Sequence, residues 1–244
     1  MPSLLSLMPI GTSPRQIITR CGGFYECPRD GAGRRIGPLV GYAGRDKNGR
    51  QFVGDVFVNF ATVEQWPHLV ARHIVPELAR PLRKHFRAED FVLCGAPEGG
   101  KSLATLLGLD LNQRYVFPDK IVTKVATPES REVSHFEMGR HVIERGDQVV
   151  IIEDVCNNFS STSMLRHEIE RHGGQVVAIV CFLNRSPEYR AAYENIPIIA
   201  CWNEAMPEYS QDDPEVASDI AAGNVVWKPK VEWERLMEAT CASA

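Results

Sequence analysis

The strongest constraint on this chain is an alternation that starts at Phe91 and runs to Trp202. "FVLCGAP" is a short apolar run, "GGKSLATLLGLDL" opens a helix, and "RYVFPDKIVTKV" is strand-like. After a polar stretch, "ATPESREVSHFEMGRHVIER", come the strand "QVVIIEDV", the helical "SSTSMLRHEIERHGG" and the strands "QVVAIVCFLN" and "IPIIACW". Continuous apolar strands are buried on both faces, and strands that alternate with helices are joined in parallel by crossovers. The spacing therefore predicts an α/β core built on a parallel sheet covered on both faces.

Outside this stretch the pattern breaks. "GPLVGYAGRDKNGRQFVGDVFVNF" predicts an antiparallel hairpin turning at Lys47-Asn48-Gly49. "WPHLVARHIVPELARPLRKHF" has helical apolar spacing, with Leu69, Ile74, Leu78 and Leu82 on one side and Pro76 and Pro81 placed to bend or split it. "NVVWKPKVEW" reads as a final strand or arm. The expected organisation is one structural domain: an accessory N-terminal segment over 1–90, a core over 91–205 and a C-terminal arm over 206–244.

Composition narrows the function. At 244 residues the chain can bury a sizeable core, and 44% hydrophobic with 24% charged residues is ordinary for a globular protein. A formal charge of −4 argues against a partner held mainly through nucleic-acid phosphates. No apolar run approaches the roughly 20 residues that span a bilayer. The start, "MPSLLSLMPIGTSPRQ", lacks the basic head and long apolar core of a signal peptide. Cys94, Cys156 and Cys181 lie in apolar surroundings, while Cys21 and Cys27 are spaced to pair or to bind a metal. The expectation is a reduced, cytoplasmic protein.

Two strand ends carry the chemistry, because ligands of open parallel sheets bind at the carboxyl ends of strands. In "CGAPEGGKSL" small residues let backbone N–H groups converge on an anion, a helix start adds its dipole and Lys101 a full charge. The same residues fit a tight turn, and Gly95 to Ser102 also satisfies the P-loop expression G-x-x-x-x-G-K-[ST]. In "VVIIEDVCNNFSST" a buried strand ends in Glu153 and Asp154, and Ser160, Ser161 and Thr162 are placed to cap the next helix. Paired carboxylates beside an anion cradle suit a phosphorylated sugar: the acids accept from vicinal hydroxyls while the loop holds the phosphate.

"VVIIEDV" with its small-polar loop resembles the phosphoribosyl-pyrophosphate signature of type I phosphoribosyltransferases: four apolar residues, two acids, a small apolar pair, then T-T-G-G-[ST]. "GAPEGGKSLA" is similar to the pyrophosphate loop of that fold, one βα unit upstream. The resemblance spans about Phe91 to Asn184, and orotate phosphoribosyltransferases are nearest in layout. It departs at Asn157, Asn158, Phe159, Ser160 and Ser161, which replace the T-T-G-G-[ST] run; Phe159 puts a β-carbon and a ring where a glycine usually lies.

The resemblance implies a Rossmann-like phosphoribosyltransferase core with a small hood from both termini. It implies Mg²⁺-dependent transfer of a phosphoribosyl group from 5-phosphoribosyl 1-pyrophosphate to a nucleobase, orotate foremost, with release of pyrophosphate. Ala96, Pro97, Glu98, Gly99, Gly100 and Lys101 would hold pyrophosphate, Glu153 and Asp154 the ribose hydroxyls and, with water and substrate oxygens, Mg²⁺. Asn157, Asn158, Phe159, Ser160, Ser161 and Thr162 would hold the 5′-phosphate. Lys120 or Lys124, with Arg131 or His135 of the family's mobile loop, would close over pyrophosphate. Phe182, Tyr189, Trp202 and Tyr209 are candidates to stack on the base, and Arg185 can offer a cation to an anionic one. A homodimer is implied, with neither nucleic acid nor membrane as partner. Two alternatives stay open: a phosphoribosyl-pyrophosphate-binding regulator without catalysis, favoured by Phe159, and a P-loop phosphotransferase.

Overall fold

A computed structural model describes residues 8–87, 91–124, 133–186 and 195–241. They divide into two compact units, one of Met1–Pro14 with Val63–Glu204 and one of Arg15–Thr62 with Ala205–Ala244. The accessory N-terminal segment is thus shared out: its helical run belongs with the sheet, and its hairpin groups with the C-terminal stretch.

The first unit is built on a five-stranded sheet. Its elements are α1 (Val75–His85), β1 (Val92–Gly95), α2 (Gly99–Leu111), β2 (Tyr115–Val116), β3 (Asp119–Lys124), β4 (Val133–Glu137), β5 (Gln148–Cys156), α3 (Ser160–Arg171), β6 (Gln175–Asn184) and β7 (Ile198–Asn203). The strand order β7-β6-β5-β1-β2 is parallel throughout, as the alternation predicts. Val149, Val150, Ile151 and Ile152 of β5 are all fully buried, which their continuous apolar run requires. One layer of core joins Val149, Ile151, Ile179 and Cys181 of the sheet to Leu165 and Ile169 of α3.

The chain winds outward in both directions from the centre. β2 follows β1 on one side, and β6 and β7 follow β5 on the other, so the order reverses between β1 and β5. Val92 pairs with Val149 and Gly95 with Ile152 across that reversal. An open α/β sheet has its ligand crevice at such a switch point.

"RYVFPDKIVTKV" reads as one strand but forms two. Tyr115–Val116 joins the main sheet, the chain turns at Phe117 and Pro118, and β3 pairs with β4 as a separate antiparallel ribbon. The break sits where proline removes a ladder donor. In the helical run, Pro67–Leu69, a π-helical turn Val70–Ile74 and α1 follow without interruption. Leu69, Ile74, Leu78 and Leu82 are buried as one stripe. Pro76 occupies the first turn of α1, where its missing N–H costs nothing, and Pro81 is carried inside the helix.

In the second unit Leu39–Arg45 and Gln51–Gly54 form the expected hairpin. Asp46 Oδ1 accepts from the backbone N–H of Asn48 (2.8 Å) and Arg50 (2.9 Å), and Gly49 takes the left-handed conformation at φ +78°. Val225–Val226 adds to Leu39–Arg45 in parallel, so "NVVWKPKVEW" does begin as a strand. It ends in the helix Trp233–Cys241, whose Leu236 is buried with Tyr25, Val40 and Tyr42.

Helix α3 begins unusually. Its capping position is Phe159 at φ 54°, ψ 23°, left-handed and without a side-chain cap; Asn158 before it is also left-handed, at φ 46°. The hydroxyls of Ser160, Ser161 and Thr162 do not cap the helix from the preceding position; instead Asn158 Oδ1 accepts from Ser160 N–H at 3.3 Å. A left-handed L-residue costs about 1–2 kcal/mol. The Phe159 ring, 2% exposed in the core with Cys156, Leu165 and Ile169, offsets that cost. Truncating a buried Phe removes about 3–5 kcal/mol. Phe159→Gly should therefore destabilise the chain by about 2–3 kcal/mol in urea unfolding, even though glycine relieves the backbone. A stabilised variant would show that backbone strain outweighs ring burial.

Candidate functional site

The pairing of β1 with β5 brings the two loops singled out in the sequence side by side. The first, Ala96 to Glu98, leaves β1 and enters α2 at Gly99; its Pro97–Glu98 peptide is cis. The second leaves β5 and enters α3. Successive strand residues face opposite sides, and Asp154 falls on the α2 side. There a β-carbon on Gly99 would collide with the Asp154 carboxylate, and one on Gly100 with the Ile152 carbonyl. Glycine at both positions is what lets the helix start approach the acid-bearing strand.

The P-loop expression is met by the residues but not by their shape. Ala96 N–H donates to Ile152 O (2.8 Å), Gly100 N–H to Ala96 O (3.0 Å) and Lys101 N–H to Glu98 O (3.3 Å). A P-loop wraps its anion with such backbone donors, and here three of them are committed within the chain. The Lys101 ammonium meets Glu98 Oε2 at 3.2 Å and lies 4.9 Å from the centroid of the Phe117 ring. Phe117 in turn stacks edge-on with His141, whose Nδ1 contacts Phe117 O at 3.0 Å.

The acid pair divides into two different groups. Glu153 is 6% exposed, and burial first, then the negative Asp154 beside it, push its carboxyl well above the ordinary range. Asp154 is half-buried at the strand end, and Val155 N–H donates to its Oδ1 at 2.8 Å. Of the two, the more deeply buried Glu153 is the one whose proton is harder to remove. Both are hard oxygen donors suited to Mg²⁺, which keeps several waters and needs only one or two carboxylates. Among the described residues no cluster of three or more His, Cys, Asp or Glu forms a protein cage.

Beyond the acids, the ends of three neighbouring strands are tied by amides and a hydroxyl. Asn158 N–H donates to Ser186 Oγ (3.4 Å), and Ser186 Oγ donates to Asn157 Oδ1 (3.3 Å). Ser186 N–H donates to Asn184 Oδ1 (3.1 Å), and Asn184 Nδ2 to Asn203 Oδ1 (3.2 Å). Arg185 follows β6 directly; its N–H donates to Cys156 O at 3.1 Å, and the residue is 5% exposed. The sequence reading missed Asn184, Ser186 and Asn203; asparagines at the ends of adjacent strands are the signal that marks them.

The remaining candidates scatter. Ser160 is exposed and Ser161 half-buried, while Thr162 is buried with its hydroxyl on the Cys156 thiol. Lys120 and Lys124 are exposed on β3, and His135 stands opposite Ile121 on β4. Phe182 is buried and meets Trp202 edge-on at 6.5 Å, and Tyr209 belongs to the second unit, bridged to Val53. Arg131 and Tyr189 lie outside the described residues. All seven cysteines are unbridged, including Cys21 and Cys27, and among the described residues no helix is long and apolar enough to cross a membrane.

The raised Glu153 carboxyl has a consequence for stability. Ionising it is harder in the folded chain than in the unfolded one, so stability present below the ordinary carboxylate range is lost as pH rises toward neutrality. Glu153→Gln should raise the melting temperature at about pH 7, and the gain should shrink toward about pH 4. An equal gain at both values would place the effect in packing.

No protein-family profile matches the chain. A curated orotate phosphoribosyltransferase 2 of Mesorhizobium japonicum is 32% identical over 90 residues, which is 36% of this chain and 46% of that protein. The chain thus spans just under half the length of this curated relative. A solved orotate phosphoribosyltransferase from Aeropyrum pernix superposes with a TM-score of 0.51 at 14% identity, over 78% of this chain and 93% of that one. An adenine phosphoribosyltransferase from Saccharomyces cerevisiae gives 0.51 at 17% identity, over 67% and 94%. With a parallel sheet that reverses between β1 and β5 and superposes on both of these structures, this chain has the type I phosphoribosyltransferase fold.

Proposed function

We propose that this protein transfers a phosphoribosyl group from 5-phosphoribosyl 1-pyrophosphate to an anionic nucleobase, orotate, releasing pyrophosphate. The observation that carries the reading is the meeting of an acid pair, a glycine-bearing loop and a polar helix start at the sheet's switch point. The buried Arg185 at the end of the next strand favours an anionic base over a neutral one.

Each residue then has a task set by charge. In such a transfer the base nitrogen bonds to the anomeric carbon as the bond to pyrophosphate breaks, and positive charge builds on the ribose ring. Asp154, half-buried at the strand end, accepts from a ribose hydroxyl and sits close to that charge. Glu153 completes the hydroxyl contact as donor or acceptor. Ala96 to Lys101 face the leaving pyrophosphate, with the Lys101 ammonium able to leave Glu98 for the stronger anion. Asn157 to Ser161 receive the 5′-phosphate, and since the Phe159 ring is buried it does not obstruct that loop. Lys120 or Lys124 neutralises pyrophosphate from the ribbon. Glu153 and Asp154, with water and donor oxygens, would hold Mg²⁺, which supplies charge neutralisation to the leaving group. Most of the rate gain in such a site comes from placement and preorganised charge. A homodimer in a reducing cytoplasm, the setting that seven unbridged cysteines suit, completes the proposal.

The test is pyrophosphate release from phosphoribosyl pyrophosphate and Mg²⁺, with orotate and then other bases as acceptors. Release with orotate is expected; release only with another base would keep the transfer and remove orotate. Donor binding without release from any base would leave a regulator. Asp154→Asn should lower turnover about 100-fold or more with the fold intact. Arg185→Ala should raise the KM for orotate about 10- to 100-fold, since a hydrogen bond to a charged group is worth roughly 1.5–3 kcal/mol. A KM that does not move would take Arg185 out of base recognition.

A further inference from the structure

Glu168 is a carboxylate in a place built for apolar side chains. It lies on α3 between Leu165 and Ile169, both fully buried, and its own side chain is 5% exposed. A buried carboxylate is costly unless its oxygens are satisfied, and here every bond is short. Arg171 Nε donates to Oε2 (2.8 Å) and Arg171 Nη2 to Oε1 (2.9 Å), while His172 Nε2 lies 3.1 Å from Oε1. The remaining bond leaves the helix: Met138 N–H donates to Oε1 at 2.9 Å. Burial raises the carboxyl, but Arg171, the Met138 amide and His172 outweigh it and hold it below its ordinary range. Arg171 and His172 are on the helix's own last turn and keep the group ionised; only the Met138 bond reaches another element.

Met138 directly follows β4, so this bond grips one foot of the β3–β4 ribbon. A two-stranded ribbon is marginal in isolation, and every residue of β3 is exposed. Its position therefore depends on its feet. The β3 foot follows β2 of the main sheet through Phe117 and Pro118, with the Phe117 ring 4.9 Å from the Lys101 ammonium of α2 and its carbonyl 3.0 Å from His141 Nδ1. At the β4 foot, Phe136 and Met138 bury their side chains against Leu165 and Ile169. That packing leaves a cavity of about 320 Å³ beside it, lined by His135, Phe136, Ser163, Met164, His167 and Glu168. Apolar contact alone leaves the ribbon room to slide along the helix; a directional bond does not. The other end of α3 is the Asn157–Ser161 loop, about 12 Å away along the helix.

We propose that Glu168 is a positioning residue that fixes the ribbon to the helix bearing the phosphate loop and thereby sets where Lys120 and Lys124 stand over the donor. This rests on the phosphoribosyl-transfer reading for its kinetic consequence but not for the clamp itself. An apolar residue at this position would leave the Met138 N–H without this acceptor, whereas a glutamine amide oxygen can still take it.

The experiment compares Glu168→Ala, Glu168→Gln and Arg171→Ala in the full chain by amide hydrogen exchange and by steady-state transfer. Glu168→Ala should speed exchange at Met138 and across β3 and β4 about tenfold or more, with the Ile169 amide unchanged. Turnover should fall about tenfold while the donor KM stays within about threefold, because the loss falls on charge placement in the transition state. Glu168→Gln, whose amide oxygen still accepts, should restore both readouts to near wild type. Arg171→Ala should give an intermediate effect and serves if the alanine variant does not fold. Unchanged exchange at Met138 would overturn the clamp. Turnover unchanged despite faster exchange would overturn the link to Lys120 and Lys124, and lost protection throughout α3 would make Glu168 merely structural. If the wild-type chain transfers to no base, the functional reading fails, and the exchange at Met138 still decides the clamp in either direction.

Discussion

The parallel pairing of β1 with β5 is the contact on which the rest of this site depends. Val92 to Gly95 bond to Val149 to Ile152 where the strand order reverses, so two helices leave neighbouring strands toward opposite faces. Each strand then ends beside the other's loop. Gly99 and Gly100 close the remaining distance by having no side chain, which sets the start of α2 against Asp154 and the Ile152 carbonyl. A one-residue slip in this pairing would turn every β5 side chain to the other face, taking Asp154 away from Gly99 and Val149 and Ile151 out of the layer they share with Leu165 and Ile169. The core's hydrophobic pattern and the site's geometry are thus one constraint.

That constraint is costly in places. Glu153 is buried at the end of the central strand, with its carboxyl driven up by burial and by Asp154. An apolar side chain would pack there at less cost. Phe159 goes the other way: its left-handed backbone is unfavourable, and the ring repays it inside the core. The two residues sit six positions apart on either side of the strand-to-helix turn. Together they show the backbone shape of the strand-to-helix turn being enforced by the core rather than by glycine.

Much of this was readable in the sequence, for identifiable reasons. β5, α3 and β6 were legible because each is a continuous apolar or helical run bounded by Gly, Asn or charged residues. The switch from β2 to β3 was not, since "RYVFPDKIVTKV" has the same β-forming character on both sides and only Pro118 marks the turn. β4 lay hidden because its partner is β3 and its side chains are mixed, so no local period betrays it. The helix Trp233–Cys241 buries only Leu236, too little to leave a stripe. At the site, the acid pair and the two loops were legible as strand ends. The Asn184, Ser186 and Asn203 ties were not, because they join residues from three strands. A departure from glycine at Phe159 says nothing of where the ring points; tertiary burial decides that.

The unit therefore joins parts of very different stiffness. The acid pair and both loops hang from a sheet whose central strands are buried on both faces, and such elements open only with the global fold. Every residue of β3 is exposed, and the ribbon meets the sheet unit at its feet. A phosphoribosyl donor needs both kinds of part: fixed groups for the ribose and phosphate, whose charge and shape hold through the reaction, and an adjustable cation for a pyrophosphate that must first be enclosed and then released. An adjustable element helps only if its closed position is defined, since an angstrom of misplacement can cost about 100-fold in rate. Helix α3 meets that requirement in one piece, with the Asn157–Ser161 loop at its first turn and Glu168, which accepts from the Met138 N–H, at its third. The exposed part thus takes its reference from the buried part.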